Sequence, residues 1–264
     1  YYESIKRKPS KRQLENEAIK AEIIKVHKES RQRYGSPKIT KYMRFKGWAV
    51  SRPRVARIMR SEGIRSIVNK KFRCTTTDSN HKYALSKNVL NRAFIAEAPA
   101  KKWVSDITYI PTKQGWLYLT IIMDLYDRKI IGWALSTTMK ASDSVIPAWK
   151  MAIKNRSITG ELIFHSDRGV QYAAHSFRKE LSKNKNIVQS MSRRANCWDN
   201  AVAENFFKIL KSELIYQTNY QSILQAKIEV FEFIEIWYNR RRIHSYLGYQ
   251  TPDEYGNIKY LKSA

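Results

Sequence analysis

WVSDITYIPTKQGWLYLTIIMDLYDRKIIGWALS, residues 103–136, holds three short runs of β-branched and aromatic residues divided by two turn signals. WVSDITYI alternates in polarity, Lys113-Gln114-Gly115 marks the first turn, and Asp127-Arg128 breaks WLYLTIIMDLY from KIIGWALS. Three consecutive strands with short connections predict an antiparallel meander. Downstream the periodicity changes. Residues 142–155 predict a helix, ELIFHSD after Gly160 a fourth strand, SFRKELSKN a short helix, NIVQSMS a fifth strand, and residues 198–216 a long helix. That order predicts an α/β domain with a mixed five-stranded sheet.

Upstream the texture is helical and basic. Residues 1–74 contain 22 Lys and Arg against 6 Asp and Glu, so +16 of the chain's net +26 lies in its first quarter. Ile19, Ile23 and Val26 predict a helix over residues 14–33. YGSPKITKYMRFKGW predicts a second helix, capped by Ser36, started by Pro37 and ended by Gly47. VSRPRVARIMRSEGI predicts a third, with Ser51 at its cap, Val55, Ile58 and Met59 inward and Gly63 as stop. Arg54, Arg57 and Arg60 fall off the inward stripe, which suits a helix-turn-helix facing DNA or a bundle with a solvated charged face. The expected organisation is a small all-α domain over 1–65, a linker over 66–101 with a short helical turn at 89–94, a core over 102–218, and a C-terminal helix and tail over 219–264.

Composition narrows the function. Forty-nine basic residues against 23 acids exceed what solubility requires, and self-repulsion of that size points to a polyanionic partner. Two distant cysteines, Cys74 and Cys197, imply no disulfide framework and suit a reducing cytosol. No apolar run is long enough to span a membrane and no signal segment opens the chain. The C-terminal YNRRRIHSYLGYQTPDEY carries Arg240, Arg241 and Arg242 among tyrosines, a mixture that suits either phosphate contact with stacking or tyrosines packed on the core.

Three carboxylates stand out. Asp106 interrupts an apolar strand, where an acid is unexpected on a core face but ordinary on a solvent face. Asp167 ends the fourth strand before Arg168-Gly169, a place for a catalytic group or a turn former. Glu204, Lys208 and Lys211 share one helix face, set apart from a predicted buried stripe of Val202, Phe206, Ile209, Leu210 and Leu214. That spacing is also the pattern of a surface ion pair. Phosphodiester chemistry uses divalent ions about 3.5–4 Å apart, held by hard oxygen ligands, and three carboxylates from separate elements are a minimal protein contribution. Asp199 reads as a helix cap, Glu213 as a paired structural residue, and Asp124 and Asp127 as weak rivals. The five histidines show no zinc spacing, and His165 near Asp167 reads as structural.

HSDRGVQY, SMSRRANCWDNAVAENFFKILKSEL and YNRRRIHSYLGYQTP together resemble the DDE transposases of bacterial insertion sequences. More narrowly they look like the second-frame protein of the insertion-sequence-three group, which is related to retroviral integrases. RYGSPKI and SRPRVARIMRSEGI resemble that group's helix-turn-helix region. The resemblance implies a ribonuclease-H-like core, two Mg²⁺ ions with Mn²⁺ able to substitute, cleavage of element ends and strand transfer into target DNA. It places the family's carboxylates on Asp106, Asp167 and Glu204 and its basic residue on Lys211. It implies terminal inverted repeats and target DNA as partners, a dimer or higher oligomer on DNA, and a cytoplasmic, nucleoid-associated protein. The 36 residues between Asp167 and Glu204 are one more than the family's usual spacing, and the extra one is assigned to the KNKN loop. A non-catalytic DNA-binding regulator and another ribonuclease-H-like nuclease are the alternatives.

Overall fold

A computed structural model describes residues 10–68, 85–194 and 196–260. The chain divides into two compact units, Tyr1–Lys71 and Phe72–Ala264. Among the described residues the first holds three helices, α1 (Lys11–Glu29), α2 (Ser36–Phe45) and α3 (Arg52–Ser61). A capping box starts α1: Ser10 Oγ accepts from the Gln13 amide at 3.3 Å, and Gln13 returns an acceptor to the Ser10 amide at 2.6 Å. The helix ends earlier than the apolar spacing predicted, because Arg31 and Gln32 adopt left-handed backbone. Gly35, not Ser36, caps α2, whereas Ser51 caps α3 as expected. Ile19, Ile23, Val26, Ile39, Met43, Val55 and Met59 close the small core.

The second unit is built on a sheet of order β3-β2-β1-β4-β5. Its strands are β1 (Lys102–Thr112), β2 (Gly115–Asp124), β3 (Ile130–Ser136), β4 (Leu162–Ser166) and β5 (Ile187–Met191). β1, β2 and β3 form the antiparallel meander, and β4 and β5 continue from β1 in parallel. Parallel pairing needs a crossover, supplied by α4 (Val145–Asn155). α4 lies so close on β3 that a Cβ at Gly132 would stand 2.3 Å from the Ala148 carbonyl oxygen, so only glycine fits there. Trp103, Trp149, Phe164, Tyr172 and Phe177 stack edge to face through the core, the last two from α5 (Val170–Ala173) and α6 (His175–Ser182).

Several local expectations change. Residues 89–94 form no helix; Asn91 and Arg92 take left-handed backbone. Residues 69–84 of the expected linker lie outside the described residues, while 85–101 packs on the sheet, with buried Leu90 and both the Val89 and Leu90 amides bonded to Ser190 Oγ. The long helix predicted over 198–216 is a 3₁₀ turn (Cys197–Asn200), α7 (Ala201–Glu213) and another 3₁₀ turn (Ile215–Gln217). Of the predicted buried stripe Phe206, Leu210 and Leu214 are buried, whereas Val202 and Ile209 are only half-buried and Ala203 and Phe207 are buried in addition.

The C-terminal arm packs on the core. α8 (Ile223–Phe231) passes into a π-helical segment (Glu232–Tyr238), and α9 (Pro252–Tyr260) follows. Glu213 accepts from Trp237 Nε1 at 2.9 Å and from Arg242 at 2.8 Å, so its structural role holds. Arg242, expected at a phosphate, is instead buried in this ion pair, since a carboxylate in the core must be matched by a cation. Asp124 and Asp127 are likewise structural. Arg156 bridges them at 2.7 and 2.6 Å, and Asp124 also accepts from Trp103 Nε1 and the Ala100 amide.

Candidate active site

Sheet register brings the first two carboxylates together. β1 and β4 pair through Trp103↔Phe164 and Val104↔His165, and carrying that register two residues further sets Asp167 alongside Asp106. α7 packs on β1 and presents Glu204 in its first turn. The three acids feel one another. Burial raises the Asp106 carboxyl well above the usual carboxylate range, Asp167 and Glu204 raise it further, and the Ile107 amide and Lys211 ammonium oppose them. Glu204 is raised by burial and then by Asp167. Like charges gathered this way disfavour the ionised state unless a cation offsets them.

Several contacts hold the trio in place. The Gly169 amide donates to Asp167 Oδ1 at 2.9 Å. A Cβ on Gly169 would lie 3.0 Å from that same oxygen, so a side chain there would push the carboxylate away. Asn200, one helical turn before Glu204, is buried and donates through Nδ2 to the Ser105 carbonyl at 3.1 Å. That bond ties the start of α7 to the residue preceding Asp106. The Asn200 Oδ1 atom is buried with no hydrogen-bond partner in the structure, a placement that ordinarily costs about 1–3 kcal/mol. Gly169 and Asn200 were missed from the sequence. The four-residue interval from Asn200 to Glu204 on a helix was the available signal.

Asp199 is not a helix cap. It is fully buried and accepts from the Arg193 amide and guanidinium, from Arg92 at 2.9 Å and from Asn88 at 2.8 Å. The Arg193 guanidinium leads the contacts that hold its carboxyl far below the usual range. The cluster fixes the loop before α7 against residues 88–92. His165 is buried between Ser190 Oγ at 2.8 Å and Ser192 Oγ at 3.2 Å, and burial pushes it down to about 4. It is therefore a neutral structural link from β4 to β5.

The basic residues divide. Lys208 is exposed on α7, and the Lys211 ammonium stands 4.8 Å from the centre of the Tyr109 ring. Arg240 and Arg241 are exposed, with Arg240 3.7 Å from Asp253. In the first unit Arg57 and Arg60 are exposed. Arg54 is half-buried and donates to Glu15 at 2.7 Å and Asn16 at 2.8 and 3.0 Å, so it braces α3 against α1. With Lys11, Arg12 and Arg57 it lines a basic groove between these helices.

The donor set fits a hard divalent cation. All three site residues offer oxygen, and His165, the histidine nearest in sequence, is taken up by Ser190 and Ser192. Among the described residues no group of three acids, histidines or cysteines is placed so as to hold a metal ion, so it is the oxygen chemistry of the three side chains that matches such an ion. Among the described residues no helix is long and apolar enough to cross a membrane.

Comparison with known proteins places these features in context. An HTH-like domain matches residues 13–72, and integrase core domains match 96–197 and 204–259. The chain is 37% identical to an uncharacterised 31 kDa protein of insertion element IS600 from Shigella sonnei, over 96% of this chain and 92% of that one. It is 36% identical to transposase InsF of insertion sequence IS3A from Escherichia coli K12, over 89% and 81%. It is 38% identical to the transposase of element IS904 from Lactococcus lactis, over 94% and 97%. Its fold is shared with a chain in the simian T-cell lymphotropic virus intasome bound to a PP2A regulatory subunit, at TM-score 0.52 and 14% identity over 89% of this chain and 74% of that one.

Proposed function

This chain belongs to the transposases of IS3-type insertion sequences, and we propose that Asp106, Asp167 and Glu204 are its catalytic, metal-holding carboxylates. The parallel register that sets Asp167 alongside Asp106, with α7 packed on β1 and carrying Glu204 in its first turn, is the observation that carries this reading. Polynucleotidyl transfer is the reaction of such a transposase, here cleavage of element ends followed by attack of a DNA 3′-hydroxyl on target DNA. Mg²⁺, with Mn²⁺ as substitute, would supply Lewis acidity at the reacting phosphate and lower the pKa of the attacking hydroxyl.

The chain's own groups set up that reaction. Asp106 lies on β1 and Asp167 directly follows the parallel neighbouring strand β4, so the sheet fixes where both stand. Glu204 is carried on the end of α7, and the Asn200 link to Ser105 fixes how far that end stands from Asp106. The Gly169 amide orients the Asp167 carboxylate. Lys211 places a positive charge beside Asp106, where it would meet a DNA phosphate. Lys208, Arg57, Arg60, Arg240 and Arg241 are the exposed cations we assign to phosphates, and Arg54 shapes the helix-turn-helix groove. Two ends must be brought together for transposition, so a dimer or larger assembly on DNA follows from this reading.

The expected result is joining of a pre-cleaved end oligonucleotide to target DNA in Mg²⁺, abolished by EDTA and restored by Mn²⁺. Joining that persists in EDTA would contradict the assignment. Hydrolysis of the end without joining would favour a plain nuclease. DNA affinity should fall steeply with salt, as counterion release dictates for so basic a chain.

A further inference from the structure

The hairpin joining β1 and β2 carries an exposed tryptophan opposite Pro111, five residues along β1 from Asp106, and nothing described so far uses it. Trp116 is 53% exposed, whereas the tryptophans at 103 and 149 are buried in the core. One edge of the contact is fixed: Trp116 and Tyr109 meet edge to face with centroids 5.1 Å apart. The Lys211 ammonium lies over the Tyr109 ring at 4.8 Å, and that ammonium acts on Asp106. An open indole, a phenol ring and a lysine thus lie in one row, with Tyr109 three residues along β1 from Asp106.

Such a row has a chemical meaning. An exposed indole is apolar surface that gains by being covered with a flat partner, and aromatic faces beside cations are how proteins hold unstacked nucleobases. The phosphate on one side of a nucleotide and its base on the other match the lysine and the indole. We propose that Trp116, Tyr109 and Lys211 form a base-stacking platform: Lys211 holds the DNA backbone near the carboxylates, and an unpaired base of the same strand stacks on Trp116. Tyr109 is a positioning residue, because its ring sets both neighbours. The proposal rests on Lys211 lying at the DNA-facing edge of the site.

The test uses the full chain and a forked duplex with an unpaired 3′ tail, carrying 2-aminopurine at one tail position at a time. Stacking tolerates any base, so no particular end sequence is required. The wild-type chain is expected to quench 2-aminopurine at one or two tail positions, and Trp116→Ala to leave them unquenched. Trp116→Ala should bind the forked duplex about fivefold to a hundredfold more weakly, while Trp116→Phe keeps most of the affinity. An abasic nucleotide at the quenched position should weaken wild type but not Trp116→Ala. Trp116 is exposed, so thermal unfolding of the variant should match wild type and exclude misfolding. Equal quenching and equal affinity in wild type and Trp116→Ala would overturn the platform. Binding is read here without catalysis, so failure of the chain to join DNA would count against the active-site reading and leave this result to be judged separately.

Discussion

Asp106→Asn is expected to abolish DNA joining and, in the same protein, to raise thermal stability when no divalent cation is present. The loss follows from the place of Asp106 on β1, alongside Asp167 in the register with β4. Removing one fixed charge from a preorganised phosphoryl-transfer site lowers the rate by about a hundredfold to a thousandfold at least. The stability gain follows from the sign of the electrostatics. Burial and two like charges hold the Asp106 carboxyl above its unfolded value, so the fold disfavours the ionised form. That penalty grows as pH rises from the unfolded carboxylate range, near 4, up to the raised folded value. Asparagine is neutral and escapes it. In EDTA at neutral pH the variant should melt above wild type, and the gap should close toward pH 4. Adding Mg²⁺ should stabilise wild type more than the variant, because an ion that binds only the folded state shifts the equilibrium by mass action. A variant that melts below wild type in EDTA would show that the three charges do not oppose folding.

Arg242→Ala separates structure from DNA contact. Its guanidinium is buried against Glu213, which α7 carries nine residues beyond Glu204. Removing one partner of a buried pair leaves an uncompensated charge and costs about 3–5 kcal/mol. For a unit of this size the midpoint should fall by about 10 °C. Trp237 still donates to Glu213 and limits the damage, so Arg242→Ala together with Glu213→Gln should recover part of the loss. Arg241→Ala, exposed on the same arm, should leave the midpoint unchanged and reduce the salt dependence of DNA binding by about one phosphate contact. An unchanged midpoint in Arg242→Ala would refute the burial of this pair.

The two arginines show where sequence reasoning ends. Arg240, Arg241 and Arg242 are consecutive and chemically alike, yet the third turns inward because Glu213 waits there. Nothing in the local pattern distinguishes it, since the partner is 29 residues away. The meander was legible because alternation and turn residues are local signals, and the capping of α3 by Ser51 was legible for the same reason. Asp106, Asp167 and Glu204 were legible as unusual acids, but spacing alone did not join them. The join depends on parallel register between β1 and β4, which no local signal encodes. Asp199 was misread because an acid before a helix ordinarily caps it, and here Arg92, from over a hundred residues away, and Arg193 claim it. Residues 89–94 have helical composition but form a turn, with the Val89 and Leu90 amides taken by the Ser190 hydroxyl and Asn91 and Arg92 in left-handed backbone. Tertiary partners override local propensity at each of these places.

The most direct measurement compares wild type with Glu204→Gln in joining a pre-cleaved end to target DNA in Mg²⁺. Glutamine keeps the shape and removes the charge on the one proposed catalytic carboxylate that comes from a helix and not from the sheet. Metal-dependent joining by wild type, absent in Glu204→Gln at equal DNA affinity, is the predicted result. Joining by Glu204→Gln at the wild-type rate would contradict the claim that these three acids form one active site.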